Sequence, residues 1–191
     1  MADENVRLVT DSRVLAAMAH PLRRRLLNML KVDGPAMASV LAERTGEAVG
    51  NVSHHLKVLA AADLIEEAPE LARDRRERWW RRTPGRVRWS TRDFAGDEAD
   101  AAVERAARSL NQDAQLGFLR AWDEAPEEER ERWREGPFST ETWLRLDDAE
   151  LSELSAELMA LIQRWADREI PDDGRDRDSV ILFAHGIPAR P

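Results

Sequence analysis

The fold is decided by the stretch Leu41-Ala42-Glu43-Arg44-Thr45-Gly46-Glu47-Ala48-Val49-Gly50-Asn51-Val52-Ser53-His54-His55-Leu56-Lys57-Val58-Leu59. Two helical patterns meet there at a tight turn, Thr45-Gly46, which is the form of a helix-turn-helix. The second helix, from about Ala48 to Ala61, carries Val52, Leu56 and Leu59 on one apolar stripe, with Val58 beside it. Its other face carries side chains that suit a DNA groove: Asn51, Ser53, His54 and Lys57. The stretch therefore predicts a DNA-reading helix at 48–61.

Two apolar segments after this helix predict a small sheet around a basic loop. Leu64-Ile65-Glu66-Glu67 and Arg78-Trp79-Trp80-Arg81-Arg82 have the composition of strands. The segment between them, 68–77, is polar, rich in arginine and without apolar periodicity. Two strands around a basic loop, directly after such a helix, predict a winged helix. Alternation of Val87 and Trp89 with polar residues predicts a third short strand at 86–90.

The residues before the turn complete the domain. A short strand or extended arm is expected near Val6, followed by a helix from about Ser12. His20-Pro21 ends that helix, and Pro21 suits the first position of the next one, at 22–32. A third helix is expected from about Met37 to Arg44, with Val40 and Leu41 buried.

The distribution of charge favours a nucleic-acid partner for the first half of the chain. The whole chain has a net charge of −8, but residues 1–95 hold 17 Lys and Arg against 13 Asp and Glu. Arg73 to Arg92 alone holds nine Arg against two acidic residues, a local charge of +7. Screening limits the reach of each charge to about 10 Å, so local charge decides phosphate binding. The acidic second half predicts a separate surface that does not bind DNA.

Composition excludes several classes of protein. The 191 residues include no cysteine, so disulfides, thiolate metal sites and cysteine nucleophiles are ruled out. The longest run without a charge, 179–189, has 11 residues, against the roughly 20 that a membrane span needs. Asp3 and Glu4 stand where a signal peptide would be basic. There is no Gly-rich phosphate loop, Gly-x-Ser-x-Gly elbow or metal-ligand set. We expect a cytoplasmic protein that is not an enzyme, needs no cofactor and does not bind membranes.

The second half predicts a long helix and a small mixed region. Residues 98–125 carry an approximately heptad stripe of mostly small residues, which is typical of a dimerisation helix: Ala99, Val103, Ala106, Leu110, Ala114, Gly117 and Ala121. A short charged helix at 127–135 follows. The segment 140–146 is expected to be a strand that pairs with a second strand at 179–187. Between them, Asp147 and Glu150 form a capping box for a helix at 148–169.

The predicted fold class is mainly α with a small β component (α+β). Three regions follow from these elements: a winged helix-turn-helix domain at 1–95, a dimerisation helix and linker helix at 96–137, and a strand-helix-strand region at 138–191. We expect the last region to serve dimerisation or to bind an effector, either a small molecule or a protein.

Three motifs resemble those of the ArsR/SmtB family of winged-helix transcriptional regulators: Met18-Ala19-His20-Pro21-Leu22-Arg23-Arg24-Arg25-Leu26-Leu27, then Leu41-Ala42-Glu43-Arg44-Thr45-Gly46, then Val52-Ser53-His54-His55-Leu56-Lys57-Val58-Leu59. The resemblance covers about residues 12–84, less than half of the chain. It implies a homodimeric repressor that binds a palindromic operator of double-stranded DNA. It also implies the metal-independent branch of the family, in which the chain continues into an extra C-terminal region.

Two departures from the family pattern matter. Family metal sensors use cysteines, or Asp/His and His/Glu pairs on the dimerisation helix, whereas this chain has no cysteine and no histidine within 98–125. Adjacent helical residues point about 100° apart, so His54 and His55 do not share a metal easily. Metal sensing is therefore not expected. The second departure is Glu47-Ala48-Val49-Gly50, which lacks the usual N-cap of the DNA-reading helix. Either Thr45 caps the helix from earlier, or its first turn frays until DNA binds.

The residues expected to contact DNA are Val49, Gly50, Asn51, Ser53, His54, Lys57, Arg73, Arg75, Arg76 and Arg78. Asn51 is placed for a bidentate contact to adenine, against the alternative of a solvated side chain. Ser53 and Lys57 are expected on phosphates, which fix position without reading sequence. His54 is expected to face DNA and His55 to be packed inside. The wing arginines are assigned to the minor groove or backbone rather than to a merely solvated loop.

Three questions stay open at the level of the sequence. Arg23, Arg24 and Arg25 fit a solvated helix face as well as phosphate contacts. The tryptophans of the second half, Trp122, Trp133, Trp143 and Trp165, fit a core or a dimer interface, with a ligand pocket as the alternative. The alternative to a DNA-binding regulator is a winged-helix protein-interaction module with an acidic partner surface.

Overall fold

Helices and short strands form the regular structure of the chain. The computed structural model describes residues 6–74 and 76–190, with the backbone alone for Val6, Arg86 and Arg88. The chain forms two units, Met1–Ala121 and Trp122–Pro191. The predicted boundaries near residues 95 and 137 stay a prediction. Within the described residues, no helix is both long and apolar enough to cross a bilayer.

The first unit contains most of the regular structure. Its elements are, in order, β1 (Val6–Leu8), α1 (Ser12–Met18), α2 (Pro21–Val32), β2 (Ala36–Met37), α3 (Ala38–Thr45), α4 (Val49–Ala61), β3 (Ile65–Glu67), β4 (Trp79–Arg82), β5 (Arg86–Arg88) and the long helix α5 (Glu98–Asp123). Short 3-10 turns occupy Pro69–Leu71 and Thr91–Phe94. The α+β class and the winged helix that the sequence predicts are confirmed.

The helix-turn-helix forms as its stretch of sequence predicts. Helix α3 ends where Gly46 adopts φ +75°, a left-handed conformation that glycine takes without a Cβ penalty. The Gly46 N–H donates to the carbonyls of Ala42 and Glu43 and so satisfies the end of the helix. Helix α4 then begins at Val49, within a residue of the predicted start.

The apolar stripe of α4 forms the centre of the core. Val52, Leu56 and Leu59 are fully buried, and the side chains that form the same core from other helices are Leu15, Leu26, Leu30 and Leu41. Burial of each such side chain is worth about 1.5–3 kcal/mol. The recognition face of α4 is therefore held in place by the packing of its opposite face.

The wing is a three-stranded antiparallel sheet in the order β2-β4-β3. In its register, Glu67 and Ala36 both lie opposite Trp80, whose buried side chain anchors the sheet to the core. The sequence did not predict β2, because two residues after Pro35 are too few to show alternation. The predicted third strand forms as β5, but it pairs in parallel with β1 rather than with the wing.

Helix α5 packs against the winged helix through one face of its first half. Glu104 and Ala107 are buried, and Val103 is half-buried. The side-chain oxygen of Asn111 accepts a 2.6 Å hydrogen bond from Arg24 on α2. The small residues of the predicted heptad stripe, among them Ala99, Ala106, Gly117 and Ala121, are exposed instead.

The second unit contains α6 (Glu127–Arg132) and α7 (Asp148–Ala166), and α7 has the predicted capping box, in which Asp147 and Glu150 each accept from the other's backbone N–H. The predicted strands at 140–146 and 179–187 are wrong, since both segments are irregular. A β-rich composition stabilises a strand only where a sheet buries it, and here Leu144 is 58% and Leu182 is 52% exposed. The described residues of this unit thus form a helical region, not a strand-helix-strand region.

Candidate nucleic-acid interface

The polar face of α4 lies on the surface of the first unit. Gly50, Asn51, His54 and Lys57 are exposed, Val49 is half-exposed and Ser53 is half-buried. A Cβ added at Gly50 would meet no heavy atom within 4 Å, so the backbone there is open to a close approach by another molecule. The structure thus brings the six residues predicted on α4 to one exposed face.

The start of α4 lacks a side-chain cap, as its sequence predicts. The N-cap residue, Ala48, has no side-chain acceptor. Thr45 does not replace it, which corrects one sequence expectation: its hydroxyl donates back into α3, to the carbonyls of Leu41 and Ala42. The first amides of α4 therefore have no intrahelical acceptor and can donate to an anion.

The side chain of Asn51 is exposed but already holds a hydrogen-bond partner in this structure. Its amide nitrogen donates a 2.8 Å hydrogen bond to Oε2 of Glu47, one turn earlier. The sequence analysis missed this contact, although the spacing of four residues is a readable signal for it. To bind adenine, the Asn51 amide must give up its hydrogen bond to Glu47 and form hydrogen bonds to the base instead.

Two carboxylates organise the wing loop. Oδ1 of Asp74 accepts from the backbone N–H groups of Arg76 and Glu77, at 2.6 and 3.2 Å. Oε2 of Glu77 accepts from the Arg73 backbone N–H at 2.9 Å and from the Trp79 indole at 3.3 Å. These bonds use the carboxylates within the loop itself and fix its turn. Arg75, also predicted at the interface, lies outside the described residues.

Some cations near α4 and the wing are held in ion pairs within the fold, and others are not. Arg78 pairs with Glu67 at 3.2 Å, and Arg81 pairs with Glu66 and Glu70. By contrast, Lys57, Arg73 and Arg76 are exposed, and their side-chain charges have no hydrogen-bond or ion-pair partner among the described residues. Three cations around α4 and the wing thus remain available to phosphate.

An open groove of about 420 Å³ separates α4 from the wing. Polar and basic side chains line it from both sides: Ser39, Ser53, Lys57, Arg76 and Arg78. Asp74 and Glu77 also line it, with the loop-organising bonds described above. Ser39 was not predicted, because nothing in the sequence places the start of α3 beside the wing.

The three arginines of α2 answer a question that the sequence leaves open. Arg23 donates to the carbonyls of Ala16 and Ala17, and Arg25 donates to those of Arg44 and Thr45. Arg24 donates to Asn111, as described above. All three donate to other parts of the first unit: Arg23 and Arg24 are half-buried by these contacts, whereas Arg25 stays exposed.

His55 is packed beneath the recognition face. It is 8% exposed, and its ring lies 4.5 Å from that of His20 between centroids. Nη1 of Arg23 lies 3.5 Å from Nδ1 of His55. Since a guanidinium only donates, Nδ1 accepts and the ring is neutral. Burial lowers the pKa of His55, as do the neighbouring His20, Arg23 and His54, while Glu47 raises it; burial and Arg23 lower the pKa of His20.

These lowered pKa values predict that the first unit loses stability in mild acid. The unfolded chain, with histidines near pKa 6.5, takes up protons before the folded chain does. Stability is therefore full at about pH 7.5 and falls as the pH drops through about 6.5. Thermal unfolding should show a lower Tm at about pH 5.5, and replacing both His20 and His55 by Asn should flatten this dependence. His54→Asn, at the exposed neighbour, removes only a minor cause of the lowered pKa of His55 and is the control, which should keep most of the slope.

Comparison with known proteins identifies the same region. Residues 18–68 match a family model described as a helix-turn-helix domain. No curated protein matches the chain. Three similar solved structures are a ZitR mutant of Lactococcus lactis in apo form, at 16% identity, the transcriptional regulator Tm0710 of Thermotoga maritima, at 15%, and NMB1585 of Neisseria meningitidis, a MarR family regulator, at 21%.

The alignments cover 77, 78 and 77% of this chain and 83, 80 and 76% of those chains, with TM-scores of 0.34, 0.32 and 0.32. These TM-scores are too low to support a conclusion about the fold. The family match and the observed β2-β4-β3 wing beside α4 identify the fold instead. The first unit of the chain is a winged helix-turn-helix domain.

Proposed function

We propose that this protein is a homodimeric, sequence-specific DNA-binding transcriptional regulator of the cytoplasm, a repressor similar to the metal-independent branch of the ArsR/SmtB family. The observation that carries the proposal is the set of unpaired cations, Lys57, Arg73 and Arg76, around a helix that exposes Asn51 and His54. A protein that used this face only for solubility would gain nothing from a wing loop fixed by its own carboxylates.

In the proposed complex, α4 lies in the major groove and the wing contacts the flanking backbone. Asn51 and His54 read base edges, and Val49 and Gly50 lie where the backbone of α4 comes closest to the DNA. The side chains that bind phosphates, which gives affinity without sequence information, are Ser53, Lys57, Arg73, Arg75 and Arg76. Arg78 can join them, since an exposed ion pair such as Arg78–Glu67 is worth only about 0–1 kcal/mol.

Two copies are needed to read a palindromic operator, with the two recognition helices about 34 Å apart. Helix α5 supports dimerisation through exposed apolar residues in its second half: Leu116, Phe118 and Leu119. An effector that binds the second unit, a small molecule or a protein, would release DNA if it favoured a different spacing of the two helices. Trp143, 60% exposed, is a candidate for that contact.

Replacing Asn51 and Lys57 together by Ala tests the assignment of α4. Neither side chain is buried, so the double variant should fold normally while specific binding in a gel shift falls below detection. Circular dichroism and Tm verify folding. Unchanged affinity in a folded double variant would refute the assignment of α4 as the recognition helix.

A winged helix that contacts a protein is the second candidate, because the second unit is acidic and exposes many apolar side chains. A salt titration of nonspecific duplex binding separates the two functions. A regulator loses affinity steeply with salt, because each neutralised phosphate contributes about −0.9 to the slope of log K against log salt. A protein-interaction module would bind the duplex weakly at every salt concentration.

A further inference from the structure

Helix α7 carries an open apolar seam with coiled-coil spacing. Leu154, Leu158, Leu161 and Trp165 follow one another at intervals of four, three and four residues, the heptad pattern of a helix that packs on another helix. Leu154 and Leu161 are each 40% exposed and Trp165 is 61% exposed. No residue of α7 is buried. Leu158 is half-buried, so the apolar face of the helix is covered only in part.

The rest of the second unit covers this face only in part: Leu151, Leu158 and Ile162 are half-buried, whereas Leu154, Leu161 and Trp165 are exposed. Leu151 precedes the seam at the same spacing, and its Cδ1 would lie 3.2 Å from a Cβ built on Gly186. The C-terminal tail thus passes against Leu151. The seam from Leu154 to Trp165, about 17 Å long at 1.5 Å per residue, remains for another partner.

The charges along α7 indicate what that partner is. Residues 147–157 hold five carboxylates and no cation, whereas the second half of the helix, residues 158–166, holds one cation, Arg164, and no carboxylate. A parallel second copy would place the two acidic halves side by side. An antiparallel copy places each acidic half beside Arg164 of the other, and it also opposes the two helix dipoles.

We propose that α7 pairs with α7 of a second copy of this chain, in antiparallel orientation. The register that uses the whole seam packs Leu154 against Trp165 of the second copy and Leu158 against Leu161 of the second copy. It also brings Glu157 beside Arg164 of the second copy, twice by symmetry. Both of these side chains are without a hydrogen-bond or ion-pair partner among the described residues. The pairing rests on the proposed homodimer and adds to it a contact separate from α5.

Charge reversal across this seam tests the proposal on the full chain. Glu157→Arg and Arg164→Glu each place like charges together at two symmetric positions and should weaken the dimer Kd, measured by sedimentation equilibrium, by about tenfold. The double variant restores opposite charges and should recover most of that loss. Glu153→Arg makes the same change of charge away from the seam and should leave Kd unchanged.

A distance measurement tests the orientation independently. The chain has no cysteine, so Asp148→Cys gives one spin-label site per copy. The antiparallel register separates the two labels by roughly 35 Å, whereas a parallel pair brings them within about 20 Å. The short distance would overturn the proposal, as would a monomeric wild-type protein or a double variant no tighter than the single ones.

Failure of this pairing can be told apart from failure of the proposed function. If the Glu157 and Arg164 variants dimerise and bind DNA like the wild type, the α7 pairing is overturned and the DNA-binding regulator stands. If the Asn51/Lys57 variant binds DNA unchanged, the regulator falls, whatever the α7 variants show.

Discussion

Replacing Arg73 and Arg76 together by Glu is expected to lower the affinity for duplex DNA by about a hundredfold, to a similar extent for specific and nonspecific sequences. The two guanidiniums have no hydrogen-bond or ion-pair partner among the described residues, so their removal breaks no side-chain contact within the described fold. Each lost phosphate contact should also make the dependence of log K on log salt less steep by about 0.9. Fluorescence anisotropy at several salt concentrations measures both effects.

The matched control changes the same total charge elsewhere in the first unit. Arg92, in the turn after β5, and Arg105, on α5, are exposed, and their side chains likewise lack a hydrogen-bond or ion-pair partner among the described residues. Although Arg92 belongs to the basic stretch 73–92, neither side chain lies on α4 or in the wing, so Arg92→Glu combined with Arg105→Glu should change affinity only slightly. An equal loss of affinity in both double variants would mean that net charge, and not the wing, attracts DNA.

Leu56→Ala is expected to lower the free energy of unfolding of the winged helix by about 2–5 kcal/mol. Leu56 is fully buried on the inner face of α4, between α2, α3 and the wing, so the truncated side chain leaves a cavity. Urea denaturation measures the loss in the free energy of unfolding, and native-state hydrogen exchange at the α4 amides measures that loss locally, in the helix itself.

Two variants of the same helix bracket this effect. Leu56→Met nearly conserves volume and should cost less than about 1.5 kcal/mol. Val49→Ala, at a half-exposed position, should change stability by less than about 0.5 kcal/mol. If Leu56→Ala were as mild as Val49→Ala, the packing of α4 described above would be wrong.

The sequence predicted the helix-turn-helix well because each of its signals is local. Gly46 marks the turn, Pro21 marks the start of α2, and the spacing of Val52, Leu56 and Leu59 marks the buried side of α4. The strands at 140–146 and 179–187 were wrong for the opposite reason. A strand depends on a partner that composition does not reveal, and the same apolar residues stand exposed in this structure.

The residues assigned to the DNA interface stay a prediction, and the sequence did not show how their side chains pair within the fold. Sequence alone placed Lys57 and the wing arginines on one side of the fold. It could not tell that Arg78 is paired with Glu67 while Arg73 and Arg76 are free, because that depends on the register of β3 against β4. Likewise, the arginines of α2 lie within a few residues of each other, and only the folded chain shows that they bind carbonyls and Asn111.

Selection of duplexes from a random DNA pool by the purified full-length protein, followed by sequencing, tests the central claim most directly. Specific reading by two copies of α4 predicts enrichment of one palindromic motif, with half-sites about 10 base pairs apart from centre to centre. The Asn51/Lys57 variant should not enrich it. A pool that stays random with the wild-type protein, or the same motif enriched by the variant, would contradict sequence-specific recognition through α4.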